Sequence, residues 1–210
     1  MRHDEYISAV VLAAGASRRM GKQDKLFLSL NGKSVLRRSV ENALKADVKD
    51  VLVVAGENFH RVNLELKQLH VQVLLNRNHP LGISTSIITG VRALNPNTEA
   101  AVILLADQPN LQPQTINRLI EIYRTGEPRI VVGRYHGIIG NPALFAHDLF
   151  PELLQLYGDV GARSVLKRHS DALAVVDIPE EEALDVDTPE DFERLRRLLR
   201  NTPSSLSEIA

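Results

Sequence analysis

The reading of this chain turns on Val10-Val11-Leu12-Ala13-Ala14-Gly15-Ala16-Ser17-Arg18-Arg19-Met20-Gly21-Lys22-Gln23-Asp24-Lys25. An apolar run over residues 7–12 leads into it and reads as a buried strand. The run then breaks into small residues, two glycines and four cations. Small residues let a backbone approach a ligand closely. Free N–H groups in such a turn form an anion-binding concavity, and Arg or Lys adds charge. These residue types point to a phosphate ligand; the plainer alternative is a basic surface loop after an edge strand. Two familiar phosphate loops do not fit. The gap from Gly15 to Gly21-Lys22 is one residue too long for a Walker A loop, and Gln23 stands where Ser or Thr is needed. The dinucleotide fingerprint G-x-G-x-x-G is absent.

Outward from this stretch, apolar runs alternate with helical patterns. Ser34 can cap a helix over residues 35–46, and residues 51–55 read as a second buried strand. Phe59, Val62, Leu66 and Leu69 recur at helical spacing, and residues 71–75 form a third strand. Gly82 opens a helix to about residue 94. Residues 101–106 are the most apolar strand, with Asp107 at its C-terminal end, and residues 114–123 are helical. Continuous apolar strands alternating with helices predict an α/β fold: a three-layer, Rossmann-like, mostly parallel sheet with helices on both faces. The second half is less regular. Residues 130–132, 142–145 and 173–178 read as strands, residues 133–140 as a glycine-bounded loop or hairpin, and Thr188-Pro189 starts the last helix. No repeat or linker divides the chain, which predicts one domain over residues 1–201 and a frayed tail over 202–210.

Composition narrows the functional classes. The 210 residues carry a net charge of −1, which gives no basic field for nucleic acid or an anionic membrane. The absence of Cys removes disulfides, thiolate nucleophiles and Cys-ligated metal sites. No apolar run approaches the roughly 20 residues that span a bilayer, and the polar start, Met1 to Tyr6, lacks a signal-peptide core. A soluble cytoplasmic protein is the expectation. The seven histidines show no metal-ligand spacing, and surface or packing roles are assigned to His136 and His147.

Two acidic sites stand out. Asp107, in Leu104-Leu105-Ala106-Asp107-Gln108-Pro109, follows a strand end, as does the loop at Gly15; ligands of open α/β sheets bind outside such ends. Asp185-Val186-Asp187-Thr188-Pro189-Glu190-Asp191 could simply cap a helix and favour its dipole. Taken together, the two sites offer two carboxylates to one Mg²⁺, a cation that takes oxygen ligands and phosphates together. Gly82-Ile83-Ser84-Thr85-Ser86 presents two hydroxyls two residues apart at a helix start.

Leu12-Ala13-Ala14-Gly15-x-Ser17-x-Arg19-Met20-Gly21-x-x-x-Lys25 resembles the signature loop of the MobA-like nucleotidyltransferases. Asp-x-Asp-Thr-Pro-Glu-Asp resembles the family's C-terminal motif, and the order of motifs holds from Val11 to Asp191. The resemblance implies a nucleotide-diphospho-sugar transferase type of fold. It implies that Leu12, Ala13, Ala14, Gly15, Ser17, Arg19 and Lys25 hold the nucleotide, with Lys25 the assigned phosphate lysine and Lys22 its rival. Lys25, Arg19 and Asp107 are the implied catalytic set, and Asp107 and Asp187 the ligands of Mg²⁺ or Mn²⁺. Gly82, Ser84 and Ser86 are similar to the base-reading stretch of the cytidylyltransferase branch, which implies CTP rather than GTP. Gly140, Asn141 and Pro142, with Asp159 and Arg163, resemble the same branch and imply an acceptor-binding part at about residues 133–170. The molybdopterin cytidylyltransferases belong to that branch. The implied partners are therefore CTP, a molybdopterin-type phosphorylated acceptor and a client molybdoenzyme. The rival readings are another phosphorylated acceptor, guanylyl transfer, an oxidoreductase on the same fold, and a cofactor chaperone.

Overall fold

The computed structural model describes residues 5–15 and 24–201. The run before the loop forms β1 (Tyr6–Ala13), buried from Ile7 onward. Six more strands join it in one sheet: β4 (Asp50–Ala55), β5 (Gln72–Leu75), β6 (Thr98–Leu105), β7 (Ile130–Tyr135), β8 (Ile138–Ala146) and β9 (Leu173–Asp177). The order is β5-β4-β1-β6-β8-β7-β9. The β1–β4, β1–β6, β4–β5 and β7–β9 pairs are parallel, whereas β8 is antiparallel to both its neighbours. β8 returns from β7 through a hairpin and fills the gap between β6 and β7. Its turn, His136-Gly137, has φ of 48° and 75°, the left-handed pair that suits a tight hairpin. The first part of residues 133–170 is thus built into the sheet. A separate small ribbon, β2 (Ser29–Leu30) with β3 (Lys33–Ser34), closes on the Asn31-Gly32 turn.

Alternation along β1 feeds two cores. Ile7, Ala9 and Val11 face α1 (Val35–Leu44), α2 (Phe59–Glu65), α4 (Pro113–Arg124) and α7 (Pro189–Asn201) through Val40, Val62, Ile116 and Leu195. Val10 and Leu12 face α3 (Ile83–Arg92), α5 (Phe150–Leu153) and α6 (Arg163–Arg168) through Ile87, Leu153 and Val165. Helices cover both faces, and the three-layer expectation holds. α3 crosses β1 closely: a Cβ at Gly90 would lie 2.4 Å from Val10 Cγ1, so this crossing requires glycine. Ser34 caps α1 as expected, accepting the Arg37 N–H at 3.0 Å. No described helix is long and apolar enough to cross a membrane.

The chain winds from β1 outward to β4 and β5, then returns to place β6 on the other side of β1. This reversal opens a crevice at the C-terminal ends of β1 and β6, the usual ligand position of such sheets. Leu12 pairs with Leu105, so Ala13 and Ala106 leave the sheet side by side. The Ala106 N–H donates to the Leu12 carbonyl at 3.1 Å and fixes the two exits together.

Candidate active site

A cavity of about 670 Å³ occupies this crevice. It is lined by Leu12, Ala13, Ala14, Gly15, Lys25 and Asp107 from the ends of β1 and β6 and the turn after them, and by His79, Gly82, Ser86 and Asp159. Ser17, Arg19 and Lys22 lie outside the described residues, as does the 202–210 tail.

Lys25 opens a single 3₁₀ turn, Lys25–Phe27. Asp24 starts that turn by accepting the Leu26 N–H at 3.2 Å, and Asn58 of the segment before α2 donates to the other Asp24 oxygen. The Arg61 guanidinium stacks 3.7 Å from the Phe27 ring centre. These ties aim the lysine inward. Its Nζ donates to Asp107 Oδ2 at 2.5 Å and to Asp187 Oδ1 at 2.8 Å. Burial opposes the charge on Lys25, but the two carboxylates outweigh it and hold the ammonium above the usual lysine range.

The two acidic segments meet through the backbone. The Val186 N–H donates to the Asp107 carbonyl at 2.9 Å, which sets Asp187 beside Asp107. The helix start that follows is closed by its own residues: Thr188 Oγ1 accepts the Asp191 N–H at 3.2 Å, and Asp191 Oδ2 accepts the Thr188 N–H at 2.9 Å. This reciprocal cap takes over the capping role, so the Asp187 carboxylate is turned to Lys25 instead. Behind them, burial pushes the Asp185 carboxyl up to about 6; the Asp107 charge adds to this, and a Gln108 hydrogen bond works against it.

Two carboxylate oxygens converging on one cationic nitrogen are a donor set that fits a hard divalent cation. Among the described residues no group of three or more His, Asp or Glu could hold a metal alone. Asp107 and Asp187 would therefore hold such an ion together with substrate phosphates and water, as Mg²⁺ prefers.

The structure does not bring every expected residue to the cavity. Ser86 lines it, and its Oγ accepts the Asn76 Nδ2–H at 3.0 Å. Ser84 does not: it is fully buried, and its Oγ has no hydrogen-bond partner. Positions two apart on a helix point to nearly opposite sides, so Ser84 and Ser86 cannot share one wall. Ser84 is also not the cap of α3; that position is Gly82. Gly140, Asn141, Pro142 and Arg163 lie off the cavity wall, whereas Asp159 lies on it. Sequence reasoning missed Glu57, His79 and Leu81 on the wall and the buried Asn76 behind it.

A phosphate-loop position after β1, an inward lysine and paired carboxylates at a strand-order reversal define a protein of the nucleotidyltransferase class. Residues 9–173 match the MobA-like NTP transferase domain, and the chain belongs to that family. Its sheet and helix layers are those of the nucleotide-diphospho-sugar transferase fold. The purine catabolism protein PucB of Bacillus subtilis (strain 168) is 34% identical over 208 residues, covering 92% of this chain and 98% of PucB. Nicotine blue oxidoreductase of Paenarthrobacter nicotinovorans is 28% identical, covering 90% and 96%. The crystal structure of Rv0371C from Mycobacterium tuberculosis H37Rv in complex with manganese superposes with a TM-score of 0.76 at 26% identity, covering 91% and 98%.

Proposed function

We propose that this chain transfers CMP from CTP to the terminal phosphate of a molybdopterin-type cofactor and releases pyrophosphate. The observation that carries the reading is Lys25, which lines the cavity with Asp107, Ala14 and Gly15 and ties Asp107 to Asp187. In the reaction an acceptor phosphate oxygen attacks the α-phosphorus, the bond from that phosphorus to the bridging oxygen breaks, and pyrophosphate departs with the electron pair. The nucleophile is already an anion, so no general base is needed. Catalysis is then positioning and neutralisation of charge. Ala14 and Gly15 leave the backbone open to the triphosphate, and Arg19 and Lys25 place positive charge on the transferring and leaving groups. A divalent ion held by Asp107 and Asp187, Mg²⁺ or Mn²⁺, would supply further charge neutralisation across the phosphates. Manganese in the Rv0371C structure supports that assignment. Ser86, oriented by Asn76, is the polar group offered to the base, and the resemblance of its stretch to the cytidylyltransferase branch supports CTP. The acceptor assignment rests on the likeness of the segments around Asn141 and Arg163 to the same branch.

The test is pyrophosphate release from CTP, GTP, ATP and UTP with Mg²⁺, with and without molybdenum cofactor, and identification of the product by mass. Release with CTP that depends on the cofactor is expected. Predominant guanylyl transfer would overturn the cytidylyl assignment. The likeness to nicotine blue oxidoreductase carries the second reading; redox turnover without pyrophosphate release would favour it.

A further inference from the structure

α3 lines the cavity through Ile83 and Ser86, yet its own sequence gives it no side-chain cap, because its N-cap residue is Gly82. The cap arrives from a loop far along the chain. Asp159 Oδ1 accepts the Ile83 N–H at 3.1 Å across 76 residues of sequence, and the Gly158 carbonyl accepts the Ser84 N–H at 3.3 Å. The two segments touch. Gly82 has φ of 111°, and a Cβ there would lie 2.4 Å from the Gly158 carbonyl oxygen. A Cβ at Gly161 would lie 3.5 Å from Ile83 Cγ2. Gly82, Ile83, Ser86 and Asp159 all line the cavity. A helix start leaves its first N–H groups without intrahelical partners, and an anionic acceptor is favoured there by the dipole. Holding the first turn of α3 also holds Ser86 within the same helix.

On the reading of this cavity as a nucleotide site, we infer that Asp159 is a positioning residue for the nucleotide: it caps α3 from the 158–161 loop and fixes the wall against which the nucleotide lies. It acts through Ile83 and Ser84, not by touching the acceptor. The loop and the nucleotide wall are thereby one unit.

The experiment compares the unmodified protein with Asp159→Ala and Asp159→Asn. It measures CTP affinity by calorimetry without acceptor, both KM values and kcat by pyrophosphate release, and hydrogen exchange of the Ile83 amide. Asp159 is exposed, so neither change disturbs the core. Asp159→Ala should weaken CTP binding and raise the nucleotide KM by about fivefold, the effect of losing an N-cap acceptor. It should speed Ile83 exchange and leave the acceptor KM and saturated kcat within about twofold, below any cap-sized effect. Asp159→Asn keeps an accepting oxygen and should restore both affinity and protection. Unchanged CTP affinity in Asp159→Ala, an effect confined to the acceptor KM, or an Asn variant as weak as Ala would overturn the inference alone. Failure of the unmodified protein to bind any of the four nucleotides would overturn the nucleotide reading and this inference with it.

Discussion

Asp187→Asn removes one of the two carboxylates on Lys25 while keeping the side-chain shape. The structural cost should be small. The Asp187 side chain is 28% exposed, Lys25 keeps Asp107 at 2.5 Å, and Thr188 with Asp191 still closes the helix start. A partly solvated ion pair contributes about 1 kcal/mol or less, and loss of the Asp187 charge also relieves repulsion on Asp185. The catalytic cost should be large. An ion held by two carboxylates loses half of its protein ligands, and such an ion supplies several kcal/mol at the transition state. A loss of about 2.7 kcal/mol corresponds to about 100-fold in rate. The assay is pyrophosphate release at saturating CTP and Mg²⁺, beside a thermal melt. The expected result is a melting temperature within about 4 °C of the unmodified protein and turnover reduced at least about 100-fold. Full turnover in Asp187→Asn, with loss in Asp185→Asn instead, would refute the assignment within the Asp185-Val186-Asp187 string.

Three further outcomes are expected. Lys25→Ala should lower kcat more than Lys22→Ala in the same assay, and Arg19→Ala should weaken nucleotide binding; equal small effects of all three would remove the stretch from the site. Ser86→Ala should erode the preference for CTP over GTP in competition, whereas Ser84→Ala should leave that preference unchanged and be neutral or slightly stabilising in denaturant melts, because it deletes a buried hydroxyl with no partner. Gly90→Ala should destabilise by up to about 2 kcal/mol in urea unfolding: the overpacking against Val10 Cγ1 costs about 1–3 kcal/mol, set against a helix-propensity gain of about 1 kcal/mol.

The sheet was legible because its strands are short, apolar and separated by helical spacing, and buried parallel strands have that appearance in any sequence. Asp107 was legible for a related reason: a lone carboxylate at the end of the most apolar run is placed by the strand itself. The position of β8 was not. Its residues 142–145 read as a strand, but insertion between β6 and β7 depends on pairing partners tens of residues away. The pairing of Ser84 with Ser86 misled for a purely geometric reason, since a spacing of two serves one face of a strand and not of a helix. Glu57 and His79 carry no spacing signal, and they reach the cavity only because β4 and β5 end at the same side of the sheet as β1; Asn76 stands behind the wall for the same reason.

The acidic string shows how the fold resolves an ambiguity that residue types leave open. Read locally, Asp187 and Thr188 compete for one cap. The structure separates the two roles by adding a long-range backbone bond from Val186 to the Asp107 carbonyl and a local reciprocal cap from Thr188 to Asp191. Each satisfies backbone groups that a loop would otherwise expose, and together they leave the Asp187 carboxylate directed at Lys25. The same economy operates at the start of α3, where Asp159 supplies the cap that Gly82 cannot. In both places the backbone is satisfied from a distance, and the residues nearest the ligand side of the cavity are held by segments that lie far from them in sequence.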